Sequence, residues 1–430
     1  MSRVAYVNAR LLDPASGLDS PGTLLCDGEL VSDFGPELFK DGVPEGTNVV
    51  DCEGFCLMPG LVDMRVQLRE PGEEYKGTLE SAGRTASAGG VTSMVCLPNT
   101  NPVIDDMSVL EFVARRARKL GLAKVHSYGA VTKGLEGKEL AEIGLLWNSG
   151  ALAFTDGIKP VSDARILGQA LSYASNFGQM IIQHAEEPSL ARGGVMNSGE
   201  TATRLGLSGI PREAEIIMVE RDIRLAEMTR GRLHFAHLST SDSIDVVRKA
   251  KARGLNITCD TAPPYFALSE IAVGDYRTFA KLSPPLRTDS DRLAVIEGLK
   301  DGTIDTIASD HAPHDEESKR LPFANAAFGG VGLETLLAVT LELFHNGHLD
   351  LLSTLKLITS APSELLGLKA GRLKKGSPAD LTLIDINRGW KVDADAMQSI
   401  SKNSPFDGRP VQGSVLMTII DGRVVFEHKA

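Results

Sequence analysis

One short turn, Ser309-Asp310-His311-Ala312-Pro313-His314, carries a carboxyl group and two imidazoles directly after the apolar run Ile304–Ala308. Other apolar runs end the same way. They are Phe154-Thr155-Asp156-Gly157, Gln183-His184-Ala185-Glu186 and His234-Phe235-Ala236-His237-Leu238-Ser239-Thr240. Asp156, His184 and His237 are side chains that together can hold one zinc ion and leave a fourth position open for water. Asp310 is the expected catalytic base. Arg69, in Leu68-Arg69-Glu70-Pro71-Gly72, and Asn99, in Leu97-Pro98-Asn99-Thr100, are expected with His314 to grip a carboxylate. Hydrolysis of an unactivated amide asks for such a set: a metal-activated water, an acid/base group and a substrate anchor.

The elements that must position these residues alternate. From Leu57 onward, apolar strands alternate with helical segments, the pattern of parallel β/α units. The expected strands are Leu57–Val66, Ser93–Leu97, Lys124–Ala130, Ala151–Thr155, Met180–His184, Arg232–Leu238, Asn256–Asp260 and Thr303–Ser309. Helical spacing falls between them, for example over Met107–Leu120, Arg165–Ser175, Pro211–Thr229 and Ser241–Arg253. This predicts an α/β fold, a (β/α)₈ barrel of the TIM type over residues 55–368, with chemistry at the C-terminal strand ends. Residues 1–54 and 369–430 read as short strands with tight turns. They are expected to form one small β-sandwich from the two chain ends.

The bulk composition agrees with a soluble globular protein. The chain has 430 residues, 42% hydrophobic and 23% charged. Its 45 Lys and Arg stand against 56 Asp and Glu, a net charge of −11. That balance argues against a nucleic-acid or anionic-membrane surface, but not against a small anionic substrate. No apolar run is long enough to span a membrane, and the N-terminus does not read as a signal peptide. The five cysteines are scattered, which suits reduced thiols in a cytoplasmic protein. Cys52 and Cys56 lack the second pair that a structural zinc would need.

On these motifs the chain resembles the class I, long bacterial type of dihydroorotase within the cyclic amidohydrolases. The resemblance runs over nearly the whole length. It includes Leu282-Ser283-Pro284-Pro285-Leu286-Arg287, Gly332-Leu333-Glu334-Thr335, Gly376-Ser377-Pro378-Ala379-Asp380-Leu381 and Ser401-Lys402-Asn403-Ser404-Pro405-Phe406. It implies that Asp156, His184, His237 and Asp310 match metal-site residues and that Arg69, Asn99 and His314 match substrate-carboxylate contacts. It implies that Lys319 to Leu333 carries part of a substrate loop. The implied reaction interconverts dihydroorotate and N-carbamoyl-aspartate in pyrimidine biosynthesis. Zinc at one ion per chain and a homodimer are expected.

The departures are as informative. The family's first strand carries His-x-His, and here those positions are Arg65 and Gln67. Ser283 stands where the family has an Asn, and Pro264-Tyr265 where it commonly has a His pair. A binuclear metal site is not expected. Arg65 shares a strand face with Gln67, and that face is expected to point at the strand-end cavity holding Asp310. There it either supplies a surrogate cation or forms an ion pair with Asp310 or Asp156 as a structural clamp. The second possibility describes a non-catalytic subunit that binds and stabilises aspartate transcarbamoylase. A hydantoinase or allantoinase reading is weaker, because Arg69, Asn99 and His314 suit a ring bearing a carboxylate. The remaining histidines have structural readings. His126 and His234 belong to strand packing, His345 and His348 flank a surface Asn-Gly turn, and His428 lies in the tail. Asp63 reads as a strand-end cap or a supporting acid.

Overall fold

The computed structural model describes residues 3–428. Leu61–Val66, Val91–Cys96 and Lys124–Ser127 pair as one parallel run. Phe154–Thr155, Met180–His184, Arg232–Ala236, Ile257–Thr261 and Thr306–Ile307 pair as a second. Single parallel bridges join the two runs at both ends, Gly129 to Phe154 and Val66 to His311. The eight strands therefore follow one another around a ring, the (β/α)₈ architecture that the alternation predicts. Its strands are apolar and buried on both faces, as in Leu61–Val66 and Val91–Cys96, because helices cover the outside.

The helices form for local reasons that the sequence carries. Met107–Leu120 buries Val109, Leu110, Val113 and Ala117, a single stripe at helical spacing. The Asp106 side chain accepts from Ser108 N at its start, and Gly121 closes it at φ 63°. The other expected helices appear as Ala164–Ser175, Glu213–Thr229 and Ser241–Ala252.

The chain ends share one sheet. Arg3–Asp13, Leu18–Asp27, Leu30–Gly35, Thr47–Asp51 and Cys56–Pro59 hydrogen-bond continuously with Leu381–Lys391, Pro410–Ile420 and Arg423–Glu427. Cys56–Pro59 sits between the two contributions, parallel to Arg3–Asp13 and antiparallel to Leu381–Lys391. The expected strand Leu57–Val66 is therefore two strands. Gly60 N donates to Asp380 O in the terminal sheet, while Leu61 N donates to Gly90 O at the barrel. A Cβ at Gly60 would lie 2.1 Å from the Thr92 side chain, so this crossing is open only to glycine. Likewise Thr303–Ser309 shortens to Thr306–Ile307. The last strand gives way early to the loop that carries Asp310.

Two negative expectations concern other regions. The five cysteines are free and buried, Cys52 and Cys56 included. No described helix is long and apolar enough to cross a membrane.

Candidate active site

The strand ends converge on a cavity of about 360 Å³. Gln67, Arg69, His184, Glu186, His237, Ser283, Asp310 and His314 reach its wall, with Phe328 and Gly329 closing one side. The backbone is forced at three of these positions. Arg69, His237 and Asp310 take φ of 66°, 41° and 50°, a region that side chains with a Cβ rarely adopt. Such strain costs energy and persists where the surroundings impose it, which is common at functional sites.

Arg65 lies at the centre. It is 2% exposed, and its Nε donates to Asp310 Oδ1 at 2.8 Å. Its Nη2 donates to Gly157 O at 3.2 Å. Asp310 also meets His237 Nδ1 through Oδ2 at 3.2 Å. Burial raises the pKa of Asp310, but His237 and Arg65 outweigh it and hold the carboxyl below its ordinary value. His237 is pushed the other way. Burial and the Arg65 charge lower its pKa, against the opposing pull of Asp310. A neutral His237 that donates from Nδ1 to a carboxylate keeps its lone pair on Nε2. His184 Nδ1 lies 2.7 Å from that Nε2 and is therefore the donor. Beyond it, His184 Nε2 faces Glu186 Oε1 at 3.9 Å. Arg65, Asp310, His237, His184 and Glu186 thus form one chain of polar contacts across the cavity wall.

Asp156 is turned away from this chain. Its Oδ1 accepts from Val131 N at 3.0 Å and Thr132 N at 2.9 Å, and its Oδ2 accepts from the Thr132 hydroxyl at 2.5 Å. Burial raises its pKa and these donors pull it back. The carboxylate pins the 131–132 loop through both of its oxygens.

The zinc expected on Asp156, His184 and His237 accordingly does not fit these residues. Asp156 is committed to the loop, the two imidazoles bond to each other, and a buried guanidinium holds Asp310. Among the described residues, no group of three or more His, Cys, Asp or Glu side chains is arranged to hold a metal ion. A divalent ion would also sit against the Arg65 charge, which repels it.

The residues expected to grip a carboxylate are arranged in two layers. Arg69 Nε donates to Pro313 O at 3.0 Å, Nη1 pairs with Glu73 at 2.9 Å, and Nη2 lies 3.2 Å from His314 Nε2. Burial and the nearby Arg69, Lys319 and Lys76 charges push the His314 pKa down to about 3. The ring is neutral, so the positive charge at this end of the cavity belongs to Arg69. Asn99 is not on the cavity wall. It acts through Gln67, whose Oε1 accepts from Asn99 Nδ2 at 3.0 Å.

Several contributors lay outside the sequence-based set. Glu186 follows His184 in its motif but drew no role. Asn403 donates to Ala312 O and Gly329 O, both at 3.0 Å, and accepts from His314 N. It ties the Asp310 turn to the loop over the cavity, and its motif carries only the family resemblance. Lys319 Nζ donates to Ala327 O and Gly329 O within the expected substrate loop. Lys281 Nζ sits 4.4 Å from the Phe328 ring and bonds Phe323 O and Ala324 O. No spacing rule finds a lysine that braces a loop from below. His126 lies part-buried on its strand. His234 is structural, bonding Thr258 and Asp260 away from the cavity. Asp63 is fully buried and accepts from Arg65 N and Ser309 N, binding the first strand to the last.

Known proteins share this arrangement of elements. The chain matches the family models described as "Dihydro-orotase-like" over residues 54–243 and "Amidohydrolase family" over residues 167–425. A protein named dihydroorotase from Wolbachia sp. subsp. Brugia malayi is 46% identical over 429 residues, covering 99% of this chain and 96% of that one. Another of that name from Pelobacter propionicus is 46% identical over 421 residues, covering 98% and 99%. The chain belongs to the dihydroorotase family. Among solved structures, an L-hydantoinase (dihydropyrimidinase) from Arthrobacter aurescens superposes with a TM-score of 0.88 at 26% identity, covering 99% of this chain and 96% of that one. A dihydropyrimidinase from Brevibacillus agri superposes at 0.83 and shares the fold. Within the dihydroorotase family, then, this chain has the barrel and carries Arg65 and Gln67 on the first strand.

Proposed function

We propose that the chain opens and closes a small cyclic amide bearing a carboxylate, the dihydroorotate and N-carbamoyl-aspartate pair of pyrimidine biosynthesis. One observation carries this reading: a single cavity is lined both by Arg69 and His314 and by the His184, His237 and Asp310 set. The substrate carboxylate takes the Arg69 guanidinium edge beside His314, a charge-assisted contact in a buried setting. The ring amide then lies over the imidazoles, which take and return protons, while Phe328 and Gly329 exclude water from that side. The 46% identity to relatives named for this reaction supports it. The test is turnover of dihydroorotate and of N-carbamoyl-aspartate by the purified protein. Arg69→Met is expected to raise KM about tenfold or more, since it removes the charged partner of the carboxylate. Absence of turnover in both directions sinks the reading.

The Arg65 pair with Asp310 favours a second reading, a non-catalytic subunit that stabilises aspartate transcarbamoylase. The names of the relatives favour the first. A rise in the Tm of aspartate transcarbamoylase on mixing, with no turnover by this chain, would select the second. The homodimer belongs to the first reading and is tested by sedimentation. A cytoplasmic location accords with the five free thiols.

A further inference from the structure

We propose that the Arg65 guanidinium stands in for a metal cation at the barrel centre, and that His184, held by His237 and Asp310, moves the proton in a metal-independent ring opening while Gln67 binds the carbonyl oxygen. The proposal rests on the cyclic-amide reading above.

Three placements carry it. First, Arg65 supplies a fixed positive charge where the first strand ends, and Asp310 takes that charge through Oδ1. Asp310 is then a positioned anion whose other oxygen orients His237. Second, the hydrogen-bond direction runs outward. His237 donates to Asp310 from Nδ1, so its Nε2 accepts from His184 Nδ1, and the free lone pair of the system appears on His184 Nε2. That atom faces Glu186 Oε1 at 3.9 Å, too far for a direct hydrogen bond and suited to one water between them. A water there donates one hydrogen to each acceptor and turns its own lone pair into the cavity. Third, Gln67 lines the cavity with its Oε1 on Asn99 Nδ2, so its amide N–H pair is what it can offer to a substrate oxygen. Both substitutions in the first strand thereby receive a role: Arg65 holds the base system and Gln67 donates to the carbonyl.

The step balances without a co-reactant. The water oxygen bonds to the ring carbonyl carbon as its proton passes to His184 Nε2. Negative charge grows on the carbonyl oxygen beside Gln67. The carbon–nitrogen bond of the ring then breaks, and the proton on His184 Nε2 goes to the leaving nitrogen. One water is consumed: one of its hydrogens ends on the leaving nitrogen as a new N–H, the other leaves the new carboxyl group as a proton to solvent, and nothing is oxidised or reduced. His184 and Gln67 touch reacting atoms. Arg65, Asp310 and His237 are positioning residues.

The experiment measures metal content and turnover together on the full chain. Wild-type protein dialysed against a chelator is expected to hold less than about one zinc per ten chains and to keep its turnover. Arg65→His combined with Gln67→His is expected to gain about one zinc per chain. His184→Ala is expected to lose about 100-fold or more in kcat, partly restored by added imidazole, which a merely structural role would not allow. Gln67→Met should lower kcat with little change in KM. Wild-type protein that turns over only with about one tightly bound zinc overturns the proposal and leaves the cyclic-amide reading standing. Turnover in His184→Ala within about threefold of wild type overturns the proton path. Protein that is inert both with and without zinc overturns the cyclic-amide reading, and the proton path with it.

Discussion

At the residue scale, the central fact is a guanidinium buried where the first barrel strand ends. Arg65 is among the largest fully buried side chains, and its partner Asp310 is itself held by His237. Breaking such a pair from one side leaves an uncompensated charge in the interior. Arg65→Met is therefore expected to cost about 3–5 kcal/mol in urea unfolding. Combining it with Asp310→Asn should recover much of that loss, because the stranded carboxylate is gone. If the double variant is no more stable than Arg65→Met, the two groups are not coupled as the 2.8 Å contact implies. Strand parity pointed Arg65 into the strand-end cavity but left its partner open between Asp310 and Asp156. What parity could not supply was the tautomer of His237 or the bond from His184 to it, since each depends on distances between separate strands.

At the scale of an element, the loop over the cavity is braced by Lys319 and Lys281, which bond backbone carbonyls, Lys281 also lying over the Phe323 and Phe328 rings. Lys319 bonds Ala327 O and Gly329 O, and burial together with the nearby Lys281 charge lowers its pKa to about 7. The sign follows from proton counting. Between about pH 7 and 10.5 the unfolded chain keeps a proton on this lysine that the folded chain has released. Stability from this site therefore rises with pH across that window. Lys319→Met should flatten the rise of Tm between about pH 7 and 9 and raise KM several-fold by loosening Phe328 and Gly329. An unchanged slope would show that Lys319 does not titrate there. Lys319 was legible only as one end of a resembling loop. Its brace comes from Ala327 and Gly329 folding back over it, which no periodic pattern records.

At the scale of the whole molecule, the terminal sheet and the barrel are joined by Gly60 and by a three-charge contact. Lys124, on the third barrel strand, meets Asp380 and Asp421 at 2.7 Å each. Asp380 is buried, and burial raises its pKa against the pull of Lys124. Lys124→Ala leaves two carboxylates facing each other at the seam. A loss of about 2 kcal/mol is expected at pH 8, and less near pH 4, where protonation relieves the repulsion. Equal losses at both pH values would show that the contact matters through packing and not through charge. Because the strand Cys56–Pro59 leads straight through Gly60 into the strand that bears Arg65, loosening this seam should reach the cavity too.

The sequence by itself determined the periodic and the local features. Alternating apolar runs and helical stripes must be buried, and burying eight such units in order makes the ring. Polar residues at the ends of those runs must then gather at one mouth, which is why Arg69, His184, His237, Asp310 and His314 share a cavity. The loss of His-x-His was equally plain. Only the tertiary structure decided what those residues do with one another. Asp156 ends its strand as a metal ligand would, yet it spends both oxygens on Val131 and Thr132, whose loop arrives from another part of the chain. The break of Leu57–Val66 at Gly60 has the same origin, since apolar residues flank the glycine on both sides and the partners Asp380 and Gly90 lie far away in sequence. Hydrogen bonds and charge pairs act over about 3 Å between groups far apart in sequence. Their partners are set by how the units pack, and composition and spacing do not carry that information.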